Sequence, residues 1–183
     1  MKKLTSLLFA LVFALAGICS ATAEGVVFTN DYFTLTLPEN WIIDTENLSS
    51  SEEAQELGHF YDSGEVGLLV SAYLVRLEDT EDQPVWSAET GMAQEYVDLV
   101  LADFEDSHPE YLGTFLAGEA PFLLIKGGDD YGEFLYAETV LNGMAFEFAA
   151  YVTDEDGAQY PVTEEYVAQF RTILKSFQLV KAE

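Results

Sequence analysis

The chain has 183 residues, with 33 Asp and Glu against seven Lys and Arg and a formal net charge of −26. Such an acid excess argues against nucleic acid and anionic lipid as partners, because both are held by clustered basic residues. With 49% hydrophobic and 14% aromatic residues, the composition is also far from that of a disordered acidic chain.

Residues Met1–Ala23 read as a secretory signal: Lys2 and Lys3, the apolar run Leu7–Ala16, then Ala21-Thr22-Ala23 as a small-x-small cleavage site. The apolar run is about ten residues where a spanning helix needs ~20, so cleavage is expected rather than retention as an anchor. Cys19, the only cysteine, offers lipidation as an alternative. A lipoprotein signal wants a leucine-like residue three positions earlier and a small one directly before; Ala16 and the bulky Ile18 stand there. Removing 23 of the 183 residues leaves 160, residues 24–183, a length that suits one α+β domain. That mature chain keeps five basic residues against 33 acidic ones, a formal charge of −28, and has no thiol for a disulfide or a nucleophile. The expected location is periplasmic or secreted.

Val26-Val27-Phe28 and Phe33–Leu37 flank Asn30-Asp31 and read as an opening hairpin, the second run alternating apolar with polar. Pro38 ends that strand, and the chain restarts at Trp41-Ile42-Ile43, with Trp41 as a core anchor. The polar stretch Glu46–Glu56, with Ser49, Ser50 and Ser51 before Glu52 and Glu53, predicts a short serine-capped helix. His59-Phe60-Tyr61 and Gly67–Val75, joined by Asp62-Ser63-Gly64-Glu65, predict two strands. The acid-rich Leu77–Gln83 and Pro84 introduce a helix from about Val85 to Phe104, its buried face Met92, Tyr96, Leu99, Val100 and Phe104, with Gly91 inside it where close packing is expected. After His108-Pro109 the period returns to two. Leu112–Leu116, Pro121–Lys126, Phe134–Leu141 and Met144–Thr153 predict four strands. The turn Asn142-Gly143 suits a two-residue hairpin whose central residues need positive φ, and Asp154-Glu155-Asp156-Gly157 makes a last turn. A final helix is expected from Thr163, whose hydroxyl can cap it, with Tyr166, Val167, Phe170, Ile173, Leu174 and Phe177 as its apolar face.

Strands, helix, strands, helix in that grouping imply an α+β domain with a largely antiparallel β-sheet and a helix on each face. The leader, the strand ending in Leu37-Pro38-Glu39-Asn40-Trp41, the mid-chain amphipathic helix, the hairpins and the closing Ile173-Leu174-Lys175-Ser176-Phe177 together resemble the PsbP-like superfamily of PsbP, Mog and DcrB-like proteins, as a bacterial exported member. The resemblance implies an α/β/α sandwich and a role in binding proteins or assisting assemblies at membranes, without catalysis. The photosystem members interact through basic surfaces. This chain departs from that pattern, so a photosynthetic role is not expected.

No catalytic, cofactor-binding or metal-ligating residue is assigned, and no cofactor is expected. His59 and His108 are two histidines far apart, read as surface or strand-edge residues. No Gly-x-Ser-x-Gly elbow occurs. Carboxylate pairs carry no glycosidase signal, because 33 acids make chance pairs certain. Asp154-Glu155-Asp156-Gly157 aligns with a calcium loop only by placing Val152 and Thr163 where Asp and Glu belong, so a hairpin turn is the better reading; Asp129-Asp130 is a weaker candidate of the same kind. Gly127-Gly128 lacks the Lys and Ser/Thr of a phosphate loop. The expected function is therefore that of an exported, non-catalytic binding or accessory protein of the bacterial envelope. It engages another protein or an envelope component through aromatics beyond those used by the helices: Tyr61, Tyr73, Tyr131, Tyr136 and Tyr151. The alternative is a divalent-cation or small-ligand-binding protein, or a weak hydrolase, using acidic residues.

Overall fold

The computed structural model describes residues 25–51, 54–76, 86–87, 91–129 and 132–180. The signal segment Met1–Ala23, the acid-rich stretch 77–83 with Pro84, and Tyr131 lie outside them. The elements in chain order are Val26–Thr29 (β1), Phe33–Leu37 (β2), Trp41–Asp44 (β3), Ala54–Asp62 (β4), Val66–Arg76 (β5), Trp86–Ser87 (β6), Gly91–Met92 (β7), Gln94–Asp103 (α1), Glu110–Ala117 (β8), Ala120–Asp129 (β9), Gly132–Leu141 (β10), Met144–Asp154 (β11), Gln159–Tyr160 (β12), Glu164–Leu174 (α2) and Gln178–Leu179 (β13).

Two antiparallel meanders make the main sheet. Strands β3-β4-β5 form one and β8-β9-β10-β11 the other, and they join where β5 runs antiparallel to β11 from Met144 opposite Arg76 to Asp154 opposite Val66. Strand β12 adds to β11, while β1-β2-β13 form a separate small antiparallel sheet. The turn Asn142-Gly143 behaves as its chemistry demands: both residues have positive φ, 56° and 74°, and Leu141 pairs with Met144.

Alternation along each strand divides the side chains between two layers. On one face Phe60, Leu68, Val70, Ala72, Phe122, Leu124, Leu135, Phe146 and Phe148 meet the small sheet through Phe28, Phe33, Leu35 and Leu37, and α2 through Val167, Phe170, Ile173 and Leu174. Phe177 stands at the centre of this layer, its ring 5.1 Å from Phe33 and 5.3 Å from Phe122. Next to it, the Ser176 hydroxyl accepts the Thr36 amide at 2.8 Å and donates to the Ile173 carbonyl at 2.6 Å, so the Ser-Phe pair clips the end of α2 to β2. Trp41 is buried in the same layer, as expected, and its amide closes the Pro38 turn at 3.1 Å. On the other face Leu123, Ile125, Phe134, Tyr136, Val140 and Ala145 pack against Tyr96, Val97 and Val100 of α1. The architecture is α+β and mostly antiparallel, with the small sheet added to one outer layer.

Three expectations change. The described residues of Glu46–Glu56, 46–51 and 54–56, form no helix: the Ser51 hydroxyl bonds the Ala54 amide and carbonyl, Ser50 bridges Gln55, and Ala54 opens β4. The helix expected from Val85 spans only Gln94–Asp103, because Trp86–Ser87 pairs with Gly91–Met92 and Gly91 takes a left-handed φ of 76° that a helix interior does not use. As a result Leu99 is 48% exposed and Val97 takes the buried position. Thr163 precedes α2 in extended conformation, but its side chain makes no capping hydrogen bond.

Candidate functional site

The two faces differ most on β4 and β5, of which Val75 packs against the α1 layer. Toward the α2 layer, Phe60, Leu68, Val70 and Ala72 are fully buried, at 0% exposure. Toward the α1 side, His59, Tyr61, Leu69, Ser71, Tyr73 and Val75 are all half-buried. Strand β11 continues this surface with Glu147, Ala149 and Tyr151, also half-buried.

Cross-strand pairing arranges these side chains in rows. One row runs Glu56, Tyr73, Glu147, Glu138 across β4, β5, β11 and β10. The next runs His59, Ser71, Ala149, Tyr136, and a third Tyr61, Leu69, Tyr151, Phe134. Glu138 and Glu147 are thus two carboxyl groups directly opposite each other, an unfavourable pairing when both are charged. Glu138 accepts the Tyr136 hydroxyl at 2.7 Å and also the hydroxyl of Tyr96 from α1. Burial, followed by the charge of Glu138 and, after an opposing hydrogen bond from Tyr136, that of Asp103, pushes Glu147 up to about 7. Burial and the charge of Glu138 raise Tyr136 as well, and burial together with Glu56 and Glu147 raises Tyr73.

His59 meets both a serine and a carboxylate: its Nδ1 lies 2.9 Å from Ser71 Oγ and its Nε2 3.2 Å from Glu56 Oε1. Burial works to raise Glu56, but the amide and hydroxyl of Ser49 and the nearby His59 hold it below its ordinary value. Serine, histidine and acid are the groups of a hydrolytic triad, yet Ser71 lies inside β5 between the paired partners His59 and Ala149. A nucleophilic serine needs backbone donors aimed at a developing oxyanion, and mid-strand amides are committed to the ladder. The contacts position the rings and hydroxyls of this surface.

The remaining candidates fall elsewhere. His108 is exposed in a left-handed conformation after a 3-10 turn over Glu105–Ser107. Asp154 uses its oxygens within its own turn, accepting the amides of Asp156 and Ala158 and the Tyr160 hydroxyl at 2.8–3.0 Å. Asp129 ends β9, and Asp130 lies outside the described residues. Gly127 sits in the ladder where a Cβ would meet the Phe134 ring at 2.5 Å, so its role is close packing. Of the five tyrosines proposed as an interaction surface, Tyr61, Tyr73 and Tyr151 are half-buried on one face. Tyr136 is corrected: it is buried under α1 with its ring 4.7 Å from Phe104, and it joins the carboxyl pair through its hydroxyl. Among the described residues no group of three or more His, Cys, Asp or Glu is placed to hold a metal ion, and no helix is long and apolar enough to cross a membrane.

An α+β protein with one sealed and one half-open sheet face is the class these features define. No family model and no curated protein matches the chain. Among solved structures it is similar to the solution structure of cyanobacterial PsbP from Synechocystis sp. PCC 6803, at 15% identity over 88% of this chain and 96% of that one, with a TM-score of 0.47. A crystal structure from Bacteroides thetaiotaomicron VPI-5482 is similar at 11% identity over 86% of this chain and 49% of that one, with a TM-score of 0.43. The first bears the PsbP name that the sequence resemblance implies, and the likeness is one of fold.

Proposed function

We propose that this protein is an exported, non-catalytic binding or accessory protein of the bacterial envelope, and that it engages another protein or envelope component through the half-open face of β4, β5 and β11. The leader at Met1–Ala23 supports the location, periplasmic or secreted. One observation carries the binding role: Tyr61, Tyr73 and Tyr151 lie together on one face and are only half-buried, while the same strands are sealed on the other. Tyrosine suits such a surface because it offers a large rigid ring and a hydroxyl at small entropic cost.

Site-specific photo-crosslinking in the producing cells tests this. A crosslinking amino acid at Tyr61 traps a discrete partner, and the same amino acid at Val27 on the small sheet does not. Identical products from both positions, or none from Tyr61, contradict the reading.

A further inference from the structure

Basic residues are distributed unevenly between the two faces, whereas acidic residues such as Glu133, Glu164 and Glu165 occur on the α2 side too. All four Lys and Arg among the described residues belong to the α2 side: Lys126 binds Glu133 at 3.0 Å and the Val162 carbonyl, Arg171 reaches the Leu112 carbonyl from α2, Lys175 follows that helix, and Arg76 ends β5 on the alternation of Ala72 and Leu74. The opposite face holds Glu56, Glu138 and Glu147, with His59 bound to Glu56. Helix α1 above it adds Glu95, Asp98 and Asp103 and has no Lys or Arg. These acids are interleaved with the half-buried rings of Tyr61, Tyr73 and Tyr151. Opposed like charges in partial burial, as at Glu138 and Glu147, are relieved when a cation lies beside them.

We infer that this face takes a cationic stretch of protein, with Arg or Lys side chains set over the tyrosine rings and directed toward Glu147 and Glu138. The inference rests on the binding reading above and adds the chemistry of the partner. The faces of aromatic rings attract guanidinium and ammonium groups through their quadrupole. The one-signed field over the surface draws such groups in and turns anionic surfaces away. A neutral apolar segment desolvates the carboxyl pair further and leaves its mutual repulsion unrelieved, which is unfavourable.

The test is fluorescence anisotropy on the purified protein with a labelled arginine–serine repeat peptide and its glutamine–serine and glutamate–serine counterparts. The arginine peptide binds and the other two do not, and raising salt from low to physiological strength weakens binding several-fold. Tyr61→Ala and Glu147→Gln each weaken it by about fivefold. Glu164→Gln, which removes the same charge from the start of α2, leaves it unchanged. Thermal melts confirm that the variants are folded, and Glu147→Gln, which deletes a repulsion, keeps the test open if Tyr61→Ala is lost. Equal weakening by Glu164→Gln, equal binding of the glutamine peptide, or no arginine-peptide binding at low salt overturns the inference. A partner trapped at Tyr61 that lacks a basic segment also overturns it, while leaving the binding reading intact.

Discussion

Glu147 concentrates the electrostatics of the α1-side face. Its folded pKa of about 7 lies above the ordinary 4.5, so the folded chain keeps a proton that the unfolded chain releases. The associated stability is complete below about pH 4.5 and is lost as pH rises through about 7. Glu147→Gln removes that loss, so the variant melts higher than the parent above pH 7, by roughly 2 kcal/mol, and equally at pH 4.5. Denaturant melts at the two pH values check the prediction, and a variant less stable at high pH contradicts it. At the same scale, Phe177→Ala opens the centre of the sealed layer and costs about 3–5 kcal/mol in a urea melt. Part of the carboxyl pair was legible in the sequence. The Asn142-Gly143 turn sets Leu141 opposite Met144, and counting three residues away from the turn on each strand places Glu138 opposite Glu147. Dismissing acid pairs as chance overlooked that these two interrupt the mostly apolar stretches Phe134–Leu141 and Met144–Val152.

Helix α1 shows what its neighbours decide. The spacing of Met92, Tyr96 and Val100 continues a helical period across Gly91, but glycine at positive φ turns the chain there and Met92 is buried from a strand instead. Periodicity alone does not separate the two, because a buried residue one turn before a helix satisfies the same pattern. The helix is anchored by its apolar stripe and by the Tyr96 hydroxyl on Glu138. Tyr96→Phe removes that hydroxyl while keeping the ring, so amides of 94–103 exchange several-fold faster in hydrogen-exchange measurements and those of 164–174 do not. Unchanged exchange in α1 would show that the ring alone seats it. The later strands and α2 were legible because local turn chemistry and a clean apolar stripe agree. The expected Thr163 cap was not, since Ser, Thr and Asp placement shows opportunity and the bond depends on the rotamer.

At the scale of the whole molecule, the sheet is closed on one side and partly open on the other. The pairing of β5 with β11, which builds the half-open face, joins segments about seventy to ninety residues apart and has no local signature, so its rows of Glu, Tyr, His and Ser could not be placed from the sequence. Opposed titrations shape the stability of the whole. Glu133, held low mainly by its hydrogen bond to Lys126, and Asp154, held low by Tyr160 and turn amides, lose their contribution as pH falls below the ordinary carboxylate range, whereas Glu147 loses its own as pH rises toward 7. Melting temperature therefore peaks in mildly acidic solution; a plateau extending above pH 8 contradicts this. The division between a sealed face and the proposed binding face is tested most directly by hydroxyl-radical footprinting of the protein in the producing cells' envelope and after purification. Tyr61, Tyr73 and Tyr151 are protected in the envelope relative to the purified protein, while Val27 and Leu116 react alike in both. Equal reactivity of the three tyrosines in the two states, with protection at Val27 or Leu116 instead, would contradict the account.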